Sequence, residues 1–302
     1  MSTHDDLFAH YAGVDEGQRL FRSGHGRLEL ERTRELLLRH LPSAPATVLD
    51  VGGGTGVHAT WLAGRGYGVH VVDPVLEHVR AAAADGTVTS EVGDARSLRQ
   101  ADASVDAVLL LGPLYHLVAG EDRRRALTEA RRVLRHDGVL LASAIGRFMA
   151  VLDWASSGAL SNDVAEKLRP VLATGVHDPT LGFTDAFFHT AAQLHQEVKA
   201  AGFDQVRVVA IEGPAWTIAD TETDAERRFD SALRCARLTE DRPEIADASA
   251  HLMAISTAFN LSNGHHVHRH RSTTLRHGVP LVVRLTAQPR SGDSPALPWG
   301  GR

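Results

Sequence analysis

The chain has 302 residues, of which 43% are apolar and 23% charged, and its formal net charge at pH 7 is −5. These values are close to globular averages, so they exclude wholesale disorder, and a chain of this length can bury a large core. The acidic balance and the lack of a long basic tract disfavour nucleic acid as a partner.

A single cysteine, Cys235, excludes an intramolecular disulfide and a multi-cysteine zinc site. No stretch approaches about eighteen uninterrupted apolar residues, and the start of the chain lacks the basic and apolar regions of a secretory signal. The sequence therefore predicts a cytoplasmic protein without membrane contact.

The first predicted element is a helix over Gly26–Pro42, where six leucines recur at roughly helical spacing and Pro42 ends the pattern. We expect residues 1–42 to form a helical cap that packs on the edge of a sheet and covers a ligand site.

A buried strand follows and turns sharply at Val48–Gly56, VLDVGGGTG, where four of the last five residues are glycine. Glycine permits positive φ and leaves no Cβ between the main chain and a ligand. A dinucleotide fingerprint would place a further glycine where this chain has Val57. The pattern therefore favours a different adenosine-type cofactor, and a tight turn without a ligand is the alternative.

Three more strands continue the pattern. Gly68–Asp73 ends in an acid that can accept both ribose hydroxyls, Thr87–Ala95 ends in Gly-Asp-Ala, and Ser104–Leu117 passes from a strand into GPLYHL. The carboxyl end of such strands is where doubly wound sheets bind their ligands.

In this order, the segments resemble the class I S-adenosylmethionine (SAM) methyltransferases over about Val48–Ile145, with looser features to about Ser256. The GPLYHL segment is similar to one in actinobacterial small-molecule methyltransferases. The resemblance implies an α/β fold with a doubly wound, mostly parallel seven-stranded sheet in the order 3-2-1-4-5-7-6, with helical lid insertions. It also implies SAM as cofactor and S-adenosylhomocysteine as product.

The same resemblance implies the cofactor-binding residues. Asp73 would bind the ribose, Asp94 the adenine amine and the Ala95 N–H a ring nitrogen, while Arg27 and Tyr11 are candidates for the SAM carboxylate or simply solvated side chains. The full predicted set is Tyr11, Arg27, Asp50, Gly52, Gly54, Asp73, Pro74, Gly93, Asp94, Ala95 and Leu111.

The methyltransferase domain is predicted over 43–258. Its later elements are a helix over Arg123–Arg135 with a solvated arginine face, strands over Val139–Ile145, Gln205–Gly213 and Ser249–Thr257, and a helix over Thr190–Phe203. Two insertions interrupt this pattern, a helical lid at about 146–189 and a second excursion at about 214–247 that includes a charged helix.

The tail, 259–302, is predicted to be partly disordered. Its closely spaced histidines could bind a transition metal, but they more often belong to a flexible basic tail. We predict no metal site.

Catalysis is assigned to His116, with Tyr115 beside it, because both follow the fourth strand near the expected methyl group and imidazole titrates near neutral pH. A pocket-shaping role is the alternative. His177, His189, Glu212 and Trp216 are predicted substrate contacts. The function predicted is methyl transfer from SAM to a small organic molecule of secondary metabolism. The alternatives are an RNA or protein methyltransferase and a SAM-binding protein without activity. The oligomeric state is left open.

Overall fold

The structure is a computed structural model that describes Gln18, residues 20–220 and residues 224–258. The predicted cofactor residue Tyr11 and the predicted tail with its histidines lie outside these ranges. Within them, no helix is long and apolar enough to cross a membrane.

A seven-stranded sheet forms the centre of the described chain, in the order β3-β2-β1-β4-β5-β7-β6. Strands β1 to β5 are parallel to one another, and β7 runs antiparallel to both β5 and β6. The predicted fold class is confirmed. The strands are β1 Thr47–Val51, β2 Gly68–Asp73, β3 Thr89–Val92, β4 Val105–Leu110, β5 Leu134–Ile145, β6 Asp204–Ala210 and β7 His251–Thr257.

Helices flank the sheet on both sides. In chain order the α-helices are α1 Gly24–His40, α2 Val57–Ala63, α3 Leu76–Ala82, α4 Pro113–His116, α5 Gly120–Val133, α6 Met149–Ser156, α7 Asn162–Thr174, α8 Ala191–Ala200, α9 Ala225–Thr239 and α10 Pro243–Ala246. Short 3-10 helices lie at Pro179–Leu181 and Trp216–Asp220.

The strand β5 begins at Leu134, earlier than the predicted Val139, because the turn at Asp137 and Gly138 lies inside the strand. Asp137 has a φ of 65°, and a Cβ on Gly138 would lie 2.9 Å from a Leu134 side-chain carbon. The pairing with β4 shifts in register beside this turn, between Val105 and Ala107. The turn therefore makes an irregularity in a longer strand.

Two apolar layers cover the sheet, and alternate residues of a strand face opposite layers. Leu49 packs in the layer with Leu127 of α5, whereas Val48 packs in the layer with Leu36 of α1. This alternation follows from the period of two in a strand. Burial on both faces explains the nearly continuous apolar runs of β1 and β4.

The first insertion is helical and is attached at the end of β5. A parallel bridge joins Gly146 to His189, and the N–H of Phe187 donates to the carbonyl oxygen of Tyr115 at 2.8 Å. Phe188 packs with Ile145 of β5 in a separate apolar cluster. The insertion therefore contacts the segment that follows β4.

The prediction of a solvated arginine face on α5 is wrong for Arg123, which is only 4% exposed. Its guanidinium donates to Glu197 at 2.8 Å and to the carbonyl oxygens of Leu117 and Val118, and it lies 3.7 Å from the ring centroid of Phe187. Arg123 thus joins α5, α8 and the insertion. A tertiary carboxylate 74 residues away is what permits its burial.

Candidate active site

A cavity of about 520 Å³ lies where the carboxyl ends of β1, β2 and β4 meet. Within the described chain, every predicted cofactor residue except Arg27 lines it. These are Asp50, Gly52, Gly54, Asp73, Pro74, Gly93, Asp94, Ala95 and Leu111. The predicted catalytic pair, Tyr115 and His116, lines the same cavity.

The glycine turn after β1 forms one wall. Gly52 and Gly54 have φ values of 69° and 56°, in the region that favours glycine. A Cβ on Gly52 would lie 2.6 Å from a ring carbon of Pro113, whereas a Cβ on Gly54 would meet nothing within 4 Å. Gly52 therefore allows the segment after β4 to approach, and Gly54 leaves open space for a ligand.

Asp73 ends β2 and is 4% exposed. Its Oδ2 accepts a hydrogen bond from the Gly54 N–H at 2.9 Å, and its Oδ1 accepts one from the Val75 N–H at 2.9 Å. Nδ1 of His78 lies 3.1 Å from Oδ1. These contacts hold the carboxylate beside the glycine turn, with lone pairs left for a ligand's hydroxyl groups.

Asp50, near the end of β1, is 1% exposed. Among the described residues, its Oδ1 has no hydrogen-bond partner. Burial, and then the nearby charge of Asp73, raise the pKa of Asp50 to about 7. A buried carboxylate of this kind favours a ligand that brings a positive charge or a hydrogen-bond donor.

The turn after β3 has partners that the sequence does not indicate. Asp94, predicted to bind adenine, forms an ion pair with Arg96 at 2.6 Å, and Arg96 also pairs with Asp122 at 3.0 Å. All three line the cavity. Arg96 is close enough in sequence to be noticed, but Asp122 comes from the start of α5 and is brought in by the fold.

Tyr115 and His116 lie on the one-turn helix α4, with ring centroids 4.6 Å apart. The His116 ring centroid is also 6.0 Å from that of Phe183 in the first insertion. The structure therefore places both predicted catalytic side chains between the glycine turn and the insertion.

The four predicted substrate contacts do not line this cavity, and we correct that assignment. His177 has Nδ1 3.3 Å from the Thr184 carbonyl oxygen, and His189 has Nε2 3.2 Å from Glu197. Both are at most 4% exposed, and burial lowers the pKa of each.

Trp216 and Glu212 are also buried among protein groups. The indole N–H of Trp216 donates to the Ala248 carbonyl oxygen at 3.1 Å. Glu212 is 0% exposed and accepts hydrogen bonds from Ser249 and His251. Both side chains thus satisfy internal polar groups of the described fold.

Arg27 is a further correction. Its guanidinium pairs with Glu31 at 3.1 Å and Glu226 at 2.9 Å, and it lies 3.9 Å from the ring centroid of Phe229. It faces α9 and not the cavity. Helix α1 instead presents Glu29 and Thr33, which are four residues apart and so share a face. The spacing of four residues in a predicted helix is the sequence signal for this pair.

Comparisons with known proteins agree with this geometry. Residues 49–142 match a methyltransferase domain family. The matched residues include the glycine turn after β1 and Asp73 at the end of β2. The sheet order agrees with the class I methyltransferase fold.

An uncharacterized methyltransferase of Mycobacterium tuberculosis, Rv3342, is 44% identical over 102 residues, which are 33% of this chain and 40% of the relative. The glycine/sarcosine N-methyltransferase of Aphanothece halophytica is 37% identical over 101 residues, 31% of this chain and 38% of the relative. The alignments thus span about two fifths of these relatives.

Among solved structures, the fold is similar to Haemonchus contortus phosphoethanolamine N-methyltransferase 2, in complex with phosphomonomethylethanolamine and S-adenosylhomocysteine. The TM-score is 0.54 at 16% identity, over 86% of this chain and 61% of that one. At this identity the likeness concerns the fold.

The residues present fit SAM on three structural grounds. The open space over Gly54 can accept a ligand without a Cβ in the way. The unpartnered Oδ1 of Asp50 calls for a donor or a cation, and the cofactor carries both an ammonium and a sulfonium. Asp73 presents a fixed carboxylate to the same space, where ribose hydroxyls can donate.

Proposed function

We propose that the protein is a SAM-dependent methyltransferase that acts on a small organic molecule of secondary metabolism. The observation that carries this proposal is one continuous cavity that joins the cofactor residues to Tyr115 and His116. Cofactor and acceptor would therefore meet within a single cavity.

The size of the cavity supports a small acceptor. Its volume of about 520 Å³ is within the usual range of small-molecule and cofactor sites, roughly 300–1,000 Å³. The cofactor would take part of that space, and the rest is left for a small acceptor. The first insertion also packs against the segment that carries His116, which narrows the access of a macromolecule.

The charge of the cavity mouth supports the same proposal. Arg96, an arginine on its wall, is paired with Asp94 and Asp122, so it is not a free cation for a phosphate backbone.

The names of two similar proteins also support a small acceptor. The relative from Aphanothece halophytica is named for glycine and sarcosine, and the Haemonchus contortus enzyme is bound to phosphomonomethylethanolamine; all three are small molecules.

When bound, SAM supplies a methyl group on a sulfonium, which is already an activated leaving group. The protein's own contribution is then to hold donor and acceptor in line, which can lower a barrier by roughly 7–11 kcal/mol. Asp50, Asp73 and the glycine turn hold the cofactor end. His116 orients the acceptor nucleophile and takes its proton if the acceptor is a hydroxyl, phenol or amine.

The test is incubation of the full chain with methyl-labelled SAM and a cell extract divided by molecular size. We expect label in the low-mass fraction, with Asp73→Asn as the control that lowers it. Label in RNA or protein would contradict the small-molecule proposal. SAM binding without label in any fraction would favour a SAM-binding protein without activity.

A further inference from the structure

Four side chains that could bind a metal lie together at the carboxyl edge of the sheet. Helix α1 supplies His25 and Glu29 at a spacing of four, Glu212 follows β6, and His251 begins β7. Because β7 is antiparallel to β6, its first residue lies at the same edge as the end of β6. We call these four residues the His-Glu cluster.

The candidate ligand atoms of the His-Glu cluster all lie within 4.8 Å of one another. Oε1 of Glu212 is 2.6 Å from Nδ1 of His251 and 3.7 Å from Nε2 of His25. Oε2 of Glu29 is 4.0 Å from the same Nδ1 of His251. Ligand atoms about 2.0–2.2 Å from a tetrahedral cation are roughly 3.3–3.6 Å apart, so small side-chain shifts would complete the geometry.

Two of the four side chains are held in place by other groups. Oε2 of Glu212 accepts hydrogen bonds from the Ser249 hydroxyl and the His251 N–H, both at 2.9 Å, which leaves Oε1 for the imidazoles. The His25 ring packs against Trp216, with ring centroids 4.7 Å apart. Supporting contacts of this kind orient metal ligands in known sites.

The buried Nε2 of His25 and the charges of the two carboxylates both favour a bound cation. Among the residues that the structure describes, Nε2 of His25 is buried and has no hydrogen-bond partner. Glu212 is 0% exposed, and the side chain of Glu29 is 13% exposed. Two carboxylates with little solvent are neutralised by one divalent cation.

We propose that the His-Glu cluster binds a divalent transition-metal cation, with His25, Glu29, Glu212 and His251 as its ligands. Two imidazole nitrogens and two carboxylate oxygens suit zinc, iron(II) or manganese(II), whereas calcium and magnesium prefer oxygen ligands. Binding would replace the contact between Nδ1 of His251 and Oε1 of Glu212 with a bond from each atom to the cation, and any proton held in that contact would leave to solvent. This site differs from the prediction of no metal site. His25 and Glu29 are more than 180 residues before the other two ligands, and the two pairs become neighbours only in the fold.

The His-Glu cluster lies next to the active-site cavity. Glu29 lines the cavity that also holds Asp73 and His116. The cation would therefore lie at the wall of the active site, where a further ligand position could be filled by water or by an oxygen of the acceptor. The binding proposal itself does not depend on the proposed function.

The test is zinc titration of the full chain by calorimetry, in a background where the five tail histidines are replaced by glutamine so that they cannot compete. These are His265, His266, His268, His270 and His277. We expect one zinc ion per chain, and visible absorption when cobalt(II) is used in place of zinc.

His25→Gln and Glu29→Gln should each weaken zinc binding by at least about tenfold, since losing even an outer-shell partner costs about 10–100-fold. The matched control is His70→Gln. His70 of β2 forms a pair with Glu91 of β3, 3.5 Å apart, near the edge of the sheet opposite to β6 and β7. This variant should leave zinc binding unchanged. Far-ultraviolet circular dichroism checks that each variant folds.

Anomalous scattering at the zinc absorption edge then places the ion, independently of any variant and of any activity. A peak among the four side chains supports the proposal. A peak elsewhere, an absence of zinc binding, or binding that is unaffected by both glutamine variants would overturn it and leave the cluster as a hydrogen-bonded proton network.

Discussion

The two ends of the active-site cavity are built in different ways. At the cofactor end, Asp50, the glycine turn and Asp73 come from two adjacent parallel strands and their short connections. At the acceptor end, His116 meets Phe183 of the first insertion, and Glu29 comes from α1. The first end is fixed by local backbone geometry, and the second by contacts between distant segments. Changes at the two ends should therefore separate affinity for the cofactor from turnover.

The largest expected effect is at the acceptor end. His116→Ala should lower turnover by about 10²–10⁴ if the imidazole is a general base, and should leave SAM affinity nearly unchanged. Steady-state kinetics with the true acceptor, together with SAM titration, measures both. His116→Asn sharpens the result, because an amide keeps a hydrogen bond but cannot take a proton at neutral pH. Near wild-type turnover in both variants would remove His116 from the mechanism.

The next effect is at the cofactor end and depends on pH. The pKa of Asp50 is raised from 3.8 to about 7, so the ligand-free folded state keeps a proton that the unfolded chain loses at lower pH. The cost of keeping this proton grows as the pH rises from about 4 to about 7. Below about pH 4 there is no destabilisation, and above about pH 7 it is complete. Asp50→Asn should raise the free energy of unfolding at pH 8, by up to about 4 kcal/mol, because each pKa unit is worth about 1.4 kcal/mol.

Urea unfolding of wild type and Asp50→Asn at several pH values measures this difference. It should grow from pH 4 to pH 7 and then level off. A difference that is the same at every pH would mean that Asp50 is not held neutral by burial.

A smaller effect concerns the contacts that join the insertion to the core. Glu197 accepts hydrogen bonds from the buried Arg123, and its own pKa is lowered to about 2: burial opposes this shift, but His189 and Arg123 outweigh it. Glu197→Gln should lower the free energy of unfolding by about 1–3 kcal/mol, because it leaves a buried cation poorly paired. The control is Glu121→Gln, whose partners Arg124 and Arg125 are exposed and which should change stability by at most about 0.5 kcal/mol. Equal effects from the two variants would contradict the burial argument.

The smallest effect is in dynamics. We expect the first insertion, residues 146–189, to exchange its amide hydrogens faster than β1 in the ligand-free protein, because its longest helix, α7, buries only Leu168 and Val171. Hydrogen exchange followed by mass spectrometry measures this. Equal protection of α7 and β1 would mean that the insertion is a fixed part of the fold and not a lid.

The cofactor end could be predicted from sequence because its determinants are local. Gly52 and Gly54 need positive φ, and the acids at the ends of β1 and β2 lie within a few residues of the turns that they line. The resemblance implied the strand order, because each of its motifs lies at the end of one strand.

The acceptor end could not be predicted in the same way. The sequence positions of Glu212 and His177 predict contacts with the substrate. In the structure, Glu212 accepts a hydrogen bond from Ser249, and His177 lies beside the Thr184 carbonyl oxygen. Arg27 is predicted to bind the SAM carboxylate, but in the structure it pairs with the carboxylate of Glu226. These partners lie 7 to 199 residues away, and only the fold brings them together.

The central claim is that the cavity at the ends of β1 and β2 binds SAM, and calorimetric titration with SAM and NAD tests it most directly. Asp73→Ala should weaken SAM binding by about 30-fold, because two ribose hydrogen bonds are worth about 1 kcal/mol each. Arg27→Ala, which faces α9, should leave it unchanged. We predict SAM binding by the wild type and by Arg27→Ala, and little binding of NAD. Tight NAD binding without SAM binding would contradict the account.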